Sequence, residues 1–490
     1  MNPAPDESQS ESARLRPIPL AAGLAGALFL GLANPLSLPP AAVPVLAVGF
    51  LMVVWWVTEA LPMPVVSLIP LVAFPLLGIN KFESTAASYA NPVVFLFLGG
   101  FLIGLAIEKW NLHRRIALGI VRLTGTGGNT IVLGFILATG LISMWLSNTA
   151  TTMMMYPIAL SVIRLLESNR AEGENHAHFA LAVMLAIAYA SNIGGIATII
   201  GTPPNVAYVG YLEKRFPGTA PTFAHWMMLC LPISLLLLGC LHLVLVKWLF
   251  PNRIRPSERT KALIHDEIAS LGPMSGPEKR VLVIFGATAL LWVTRGLINS
   301  AQPWFKLDDN MIALFGAMML FLCPAGKRGG PAGLPLLQWR DTDRMAWGIL
   351  LLFGGGIALA TAFENAGLVD QLGRWLATFS HDPLTMILAV TVVTIFTSEI
   401  MSNVAQVIIF APVVTSLAVA LKMDPLMLGM PMTLAASCAG MLPMGTPPNA
   451  IVFASGRIRL GQMAKAGLVM NLVAILVITV FCRFVLPWIR

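Results

Sequence analysis

The chain has 490 residues, of which 57% are hydrophobic and only 11% charged, and its mean hydropathy is +0.79. A soluble domain carries about 25% charged residues, so this chain cannot coat itself for water. A soluble enzyme, a disordered chain and a nucleic-acid binder are excluded, and the bilayer is the solvent.

Met1 to Arg16 is polar, with Asp6, Glu7, Glu11, Arg14 and Arg16. It lacks the basic start, short apolar core and cleavage site of a signal peptide. It reads as a cytoplasmic tail, residues 1–16. A first transmembrane helix follows at 17–40. Further apolar stretches fall at about 41–60, 63–79, 91–108, 180–212, 225–250, 281–300, 309–325, 345–363, 425–456 and 465–489. Two others, 127–163 and 384–421, carry a polar break in the middle. They read as re-entrant hairpins that enter and leave on one side. The expected fold is an all-α polytopic membrane protein with about eleven transmembrane helices plus the two hairpins.

The formal net charge of +8 is explained by position. With the N-terminus inside, the cytoplasmic segments are the tail, 109–126, 164–179, 247–280, 326–344 and 457–465. They hold 22 of the 31 Lys and Arg residues, which is the positive-inside bias. The excess is topological, and no nucleic-acid partner is expected. The same reading places the C-terminus outside, in a bacterial inner (plasma) membrane. The five cysteines form no CxxC pair and read as small core residues. His176 and His178 sit beside Glu172 and Glu174 and read as a solvated loop rather than a metal site.

An internal repeat crosses the cytoplasmic linker at 251–280. Phe97-Leu98-Gly99-Gly100 recurs as Leu352-Phe353-Gly354-Gly355, and Ser147-Asn148 as Ser402-Asn403, each 255 residues further on. Gly201-Thr202-Pro203-Pro204-Asn205 recurs unchanged as Gly445-Thr446-Pro447-Pro448-Asn449, 244 residues further on. The repeats span 41–250, with the hairpin 127–163, and 281–490, with the hairpin 384–421. Each has five crossings and one hairpin, and an odd number inverts the second copy. Inverted repeats with paired broken segments are the plan of secondary transporters.

The broken segments are almost bare of charge. The stretches 129–163, 179–212 and 425–456 hold no charged residue, and 383–421 holds only Glu399. Yet they carry Ser143, Ser147-Asn148-Thr149, Ser398, Ser402-Asn403 and both pentapeptides. Pro-Pro breaks a helix by removing donors, and unwound backbone at depth is tolerated only where it is buried or lines a wet cavity. A single copy of either motif could be a helix cap or a kink. Two copies of both point to a shared site. Hydroxyls, amide oxygens and freed carbonyls are hard neutral ligands that suit a cation such as Na⁺. Helix N-termini and hydroxyls suit a carboxylate or sulfate. An unpaired dianion there is costly, so bound cations would supply the missing charge. Glu59 reads as a helix-end residue, and Glu399 as a structural hydrogen-bonding group, with a proton or cation site as the alternative. No Walker, GxSxG or HExxH pattern appears. No catalytic residue and no enzyme activity are expected.

At this point the sequence resembles the divalent anion/Na⁺ symporter family. The resemblance rests on Trp56 to Pro62, FLFLGGFLIGLAIEKWNLHRR (Phe95 to Arg115), Ser147-Asn148-Thr149, both Gly-Thr-Pro-Pro-Asn copies and LPMGTPPNAIVFASG (Leu442 to Gly456). It implies sodium-coupled symport of succinate, malate, fumarate or citrate by an elevator motion in a homodimer. It implies Na⁺ at two or more sites. The first would use Ser143, Ser147, Asn148 and Gly201. The second would use Ser398, Met401, Asn403 and Gly445. The substrate carboxylates would meet Asn148, Thr149, Thr202, Pro203, Asn403, Val404, Thr446 and Pro447. The sequence departs from the family pattern at Val404, Gln406 and Gly445, where Thr, Thr and Ala are common. The family also covers Na⁺-independent dicarboxylate exchangers and sulfate or other inorganic-anion symporters, and the residues leave these open.

Overall fold

Proline sets many of the helix starts in this chain. It stands in the first turn of helices that follow Asn91, Thr202, Asp382, Asp424 and Thr446. At that position its missing N–H costs nothing. Asn91, Asp382, Asp424 and Thr446 each accept a backbone N–H of the first turn. The computed structural model describes residues 16–168, 174–256, 258–326, 333–379 and 382–489. Most of the expected tail, residues 1–15, and His381 lie outside these.

The helices in chain order are α1 (Pro17–Ala33), α2 (Ala42–Val57), α3 (Met63–Val66), α4 (Ile69–Leu76), α5 (Phe82–Tyr89), α6 (Pro92–Lys109), α7 (Leu112–Thr124), α8 (Gly128–Ser143), α9 (Asn148–Ser168), α10 (His176–Gly195), α11 (Pro203–Arg215) and α12 (Phe223–Leu243). After these come α13 (Glu258–Ser270), α14 (Gly276–Ala301), α15 (Asp309–Leu322), α16 (Trp347–Asn365), α17 (Leu368–Ala377), α18 (Pro383–Thr397), α19 (Asn403–Ala420), α20 (Pro425–Ala436), α21 (Pro447–Phe453), α22 (Leu460–Val480) and α23 (Leu486–Ile489). Among the described residues there is no β-strand beyond one isolated bridge, Pro324 to Pro335. Among the described residues, seven helical stretches are long and apolar enough to cross a bilayer, and seven shorter apolar helices accompany them.

The repeat is visible element by element. The run α6 to α9 returns as α16 to α19, and the run α10 to α12 as α20 to α22. Both pentapeptides sit at the same place, where one half-helix ends and the next begins. The structure also adds elements that span counting overlooked. The stretch 63–79 is two short helices, α3 and α4. The loop 109–126 is largely the amphipathic helix α7, whose counterpart α17 fills the gap after residue 363. The linker 251–280 contains α13. These are short or polar-faced helices, so a search for 20-residue apolar runs passes over them.

Helix α10 is the centre of the bundle. Its alanine-rich face-free sequence is buried on all sides from Phe179 to Gly195. By contrast α14 buries few of its residues, and Val283, Leu290 and Leu297 stand outward as a hydrocarbon-facing surface. His176 corrects an expectation. It is not solvated but buried at the start of α10, 3.1 Å from Glu174. Among the described residues no group of three or more His, Cys, Asp or Glu could hold a metal. All five cysteines are free, with Cys230, Cys438 and Cys482 buried.

The charged loops sort into two groups. Lys109 pairs with Asp341 at 2.6 Å, Arg114 with Glu267 at 2.8 Å, Arg115 with Glu278 at 3.0 Å and Arg457 with Glu167 at 2.6 Å. Every one of these joins two of the segments that the charge bias assigned to one side. Arg215 pairs with Glu364 at 3.5 Å and Arg295 with Asp309 at 2.9 Å, and these lie outside those segments. Partial burial works to raise the pKa of Asp341. The hydrogen bonds from Lys109 and Gln338 and the nearby positive charge outweigh it and hold the carboxyl below its usual range.

Candidate functional site

The first hairpin turns between α8 and α9 over Met144 to Ser147. Ser143 Oγ at the end of α8 donates to Asn148 Oδ1 at the start of α9, at 2.8 Å. Ser147 Oγ accepts the Ala150 N–H at 3.2 Å and so caps α9. The hairpin tip faces the break between α10 and α11. There Thr198 Oγ1 donates to Met144 O at 2.5 Å and accepts the Gly201 N–H at 3.0 Å. Asn205 Nδ2 reaches three carbonyls of the same break, the shortest being Thr198 O at 2.8 Å. Glycine is required at the contact. A Cβ on Gly201 would lie 2.4 Å from Gly195 O and 3.0 Å from Met144 O, and one on Gly195 would lie 2.5 Å from Asn148 Oδ1. Ser143 and Asn148 thus lie beside Gly195 and Gly201, with the Gly195 and Met144 carbonyls close to Gly201.

The second hairpin repeats this arrangement. Ser398 Oγ lies 2.7 Å from Asn403 Oδ1 and 2.6 Å from Ala436 O. Asn449 Nδ2 reaches Leu442 O at 3.1 Å and Ala439 O at 3.4 Å, across the break between α20 and α21. Gly445 is buried against Glu399, whose Oε2 is 3.0 Å from where a Cβ on Gly445 would sit. Ser398 and Asn403 are thus hydrogen-bonded to each other, and Gly445 lies beside the neighbouring Glu399. Met401 and Val404 are half-buried at the second hairpin turn, and Thr149 is half-buried at the first. Thr202 is buried as the N-cap residue of α11, Pro203 is half-buried, and Pro447 is exposed.

The two halves are tied through residues that the motifs did not single out. Asn148 Nδ2 donates to Asn192 Oδ1 at 3.3 Å, and Asn192 Nδ2 donates to Thr446 Oγ1 at 3.0 Å. Thr152 Oγ1 bonds Ser191 Oγ at 3.0 Å one turn away. Tyr189 donates toward Gly440 O at 2.8 Å and Met463 O at 3.3 Å. A cavity of about 10 Å³ lies between Tyr189, Asn192, Cys438 and Met470, room for about one water. The available signal for Asn192 and Asn471 was an isolated amide inside an apolar span, which in lipid is a functional candidate.

Several buried oxygens have no hydrogen-bond partner among the described residues, including Thr139 and Thr394, Thr151 and Gln406, Asn205 and Asn449. Each pair is related by the repeat offset. One orphaned acceptor is a local defect costing about 1–3 kcal/mol. The same unpaired atoms recur at matched positions in both halves, as the repeat leads one to expect.

Paired, uncharged helix breaks in an all-α bundle define a secondary transporter of the membrane. The sequence matches the family described as Sodium:sulfate symporter transmembrane region over residues 18–489. The chain belongs to this divalent anion/Na⁺ symporter family. It is 38% identical over 465 residues to the sodium-dependent dicarboxylate transporter SdcS of Staphylococcus saprophyticus, covering 94% of this chain and 89% of that one. It is also 38% identical over 459 residues to SdcS of Staphylococcus aureus, covering 93% and 88%. Two solved structures share the fold. The YdaH transporter of Alcanivorax borkumensis aligns at TM-score 0.58 and 14% identity, over 91% of this chain and 98% of that one. MtrF of Neisseria gonorrhoeae aligns at 0.59 and 13%, over 94% and 97%.

Proposed function

We propose that the chain is a Na⁺-coupled symporter of di- or tricarboxylates, working in a bacterial inner membrane without chemical change to its substrate. The single observation that carries this is the pair of uncharged oxygen clusters, Ser143–Asn148–Gly201 and Ser398–Asn403–Gly445, joined through Asn192 and Thr446. The SdcS relatives, named as sodium-dependent dicarboxylate transporters, support the ion and the substrate. Each cluster would hold one Na⁺. The substrate carboxylates would sit between the hairpin turns, against Asn148, Thr149, Thr202, Pro203, Asn403, Val404, Thr446 and Pro447. No Lys or Arg is present in these segments, so bound Na⁺ would supply the charge that an anion needs there.

The repeats would be inverted, with α8–α9 and α18–α19 entering from opposite sides. The part built from both hairpins would move against α6, α14 and α16 in an elevator motion. The face with the Lys109–Asp341, Arg114–Glu267 and Arg457–Glu167 pairs would be cytoplasmic, as the positive-inside bias requires. The N-terminus would then be inside and the C-terminus outside. A homodimer is proposed on the resemblance. The test is binding of labelled succinate to purified protein in NaCl and in choline chloride. Binding is expected only in NaCl, and Asn148→Ala and Asn403→Ala should each abolish it while the protein still inserts and melts cooperatively. Normal binding in either variant would overturn the site.

A further inference from the structure

The two oxygen clusters share a hydrogen-bonded Ser–Asn pair next to a glycine break, and they differ in charge at one position. At the position of Met144 in the first half, the second half carries Glu399. Its carboxylate is 3% exposed. Oε1 accepts the Gly440 N–H at 2.8 Å, the Met441 N–H at 2.9 Å and the Asn471 amide at 2.8 Å, and Oε2 accepts the Leu442 N–H at 3.0 Å. All four partners donate, which is the pattern of an acceptor-only carboxylate. Among the described residues no Lys, Arg or His pairs with it. The three N–H groups belong to the unwound stretch between α20 and α21, where the helix offers them no carbonyl. In the first half the matching stretch is held by the neutral Thr198 hydroxyl on Met144 O.

This difference has an electrostatic consequence at the second cluster, because Oε2 stands beside Gly445. Donated N–H dipoles stabilise a carboxylate without cancelling its charge. A monovalent cation at Ser398–Asn403–Gly445 therefore meets a fixed negative charge a few ångströms away in a low-dielectric interior. A cation at Ser143–Asn148–Gly201 meets only dipoles. An anion arriving at Thr446 before the cation faces an uncompensated carboxylate, and one arriving after it faces a neutral pair.

We propose that Glu399 is a positioning residue that makes the two cation sites unequal, so that the Ser398–Asn403–Gly445 site fills first and the Ser143–Asn148–Gly201 site second. The carboxylate does this in two ways. It fixes the Gly440–Leu442 backbone so that the Gly445 carbonyl is presented, and it supplies the charge that raises affinity there. This rests on the sodium-coupled reading above.

The test is a NaCl titration of the full-length protein in detergent, at constant ionic strength with choline and without substrate, read by tryptophan fluorescence and melting temperature. Ser398→Ala is expected to remove the response at low Na⁺, and Ser143→Ala to keep it and lose the response at high Na⁺. Glu399→Gln is expected to raise the half-saturating Na⁺ concentration about tenfold, one pKa-unit equivalent of interaction. At saturating Na⁺ it should move the succinate Kd much less, a split that general loosening of the loop would not give. A folded Glu399→Gln with the wild-type Na⁺ curve would overturn the proposal. So would loss of the low-Na⁺ response in Ser143→Ala, and if Glu399→Gln does not fold, this serine comparison decides alone. A wild-type protein that responds to Na⁺ no differently from choline would instead sink the sodium reading itself.

Discussion

The side chain of Asn192 donates to Thr446 across 254 residues of sequence, at 3.0 Å and with both groups buried. It is the link between the first hairpin and the second pentapeptide, because Asn192 also accepts from Asn148. Thr446 in turn caps α21. Around this amide, α9 and α10 also pack against α21 directly.

Asn192→Leu cuts this link at both ends and leaves Asn148 Nδ2 without its partner. Interhelical hydrogen bonds in lipid are worth about 0.6–1.7 kcal/mol each. The expected outcome is a drop in melting temperature together with a loss of succinate binding of tenfold or more. Thr446→Ser, which keeps the acceptor, should retain binding. Measured Kd values for the two variants check this.

The crossing of α22 over the second break depends on two glycines. A Cβ on Gly467 would lie 2.3 Å from Gly440 C and O and 2.4 Å from Met441 N, all backbone atoms. Backbone cannot yield as a side chain can, so Gly467→Ala is expected to cost at least the 1–3 kcal/mol usual for overpacking. The break that Glu399 holds would shift with it. Gly461→Ala meets nothing within 4 Å and is the control. Thermal melts of both, with Na⁺ titrations, test the difference.

Arg457 and Glu167 form a two-pronged pair, Nη1 to Oε1 at 2.6 Å and Nη2 to Oε2 at 3.2 Å. The pair ties the end of α9 to the segment after α21, one residue from each repeat. Arg457→Glu should destabilise, by about 1 kcal/mol for a partly exposed pair. The swap Arg457→Glu with Glu167→Arg should recover most of it. A double-mutant cycle on melting temperature measures the coupling, and a coupling of zero would contradict the placement of both residues on one face.

Asp341 gives the acid side of the stability curve a specific group. Its carboxyl is held below the usual range by Lys109. A depressed folded pKa means that the contribution is present above the ordinary carboxylate pKa and is lost as pH falls through the folded value. Asp341→Asn is expected to flatten the loss of stability at acid pH while lowering stability slightly at neutral pH. The pair is partly exposed, so the effect should be small and weaken with salt.

How much of this was legible in the sequence can be argued residue by residue. The polytopic all-α class followed from 11% charge. The repeat followed from an unchanged pentapeptide, and its element-by-element form in α6–α12 and α16–α22 agrees with it. Ser143, Asn148, Ser398 and Asn403 were legible as polar interruptions of apolar segments, and their grouping was what the family resemblance implied. Helices α7 and α17 were not, because an amphipathic interfacial helix leaves no long apolar run. Asn192, Tyr189 and Asn471 were not, because they occur once and lie outside any repeated motif. Their roles come from tertiary packing that brings residues some 250 positions apart into contact. Glu399 stood out as the one charge in its segment, and its reading as a hydrogen-bonding group agrees with the four donors around it.

Cations would complete an anion site to which the protein itself contributes no Lys or Arg. This is tested most directly by uptake of labelled succinate into proteoliposomes, with and without an inward Na⁺ gradient. Concentrative uptake is expected to require the gradient and to collapse when Na⁺ is equal on both sides. Uptake that ignores Na⁺ and requires dicarboxylate inside the vesicles would contradict it and make the protein an exchanger.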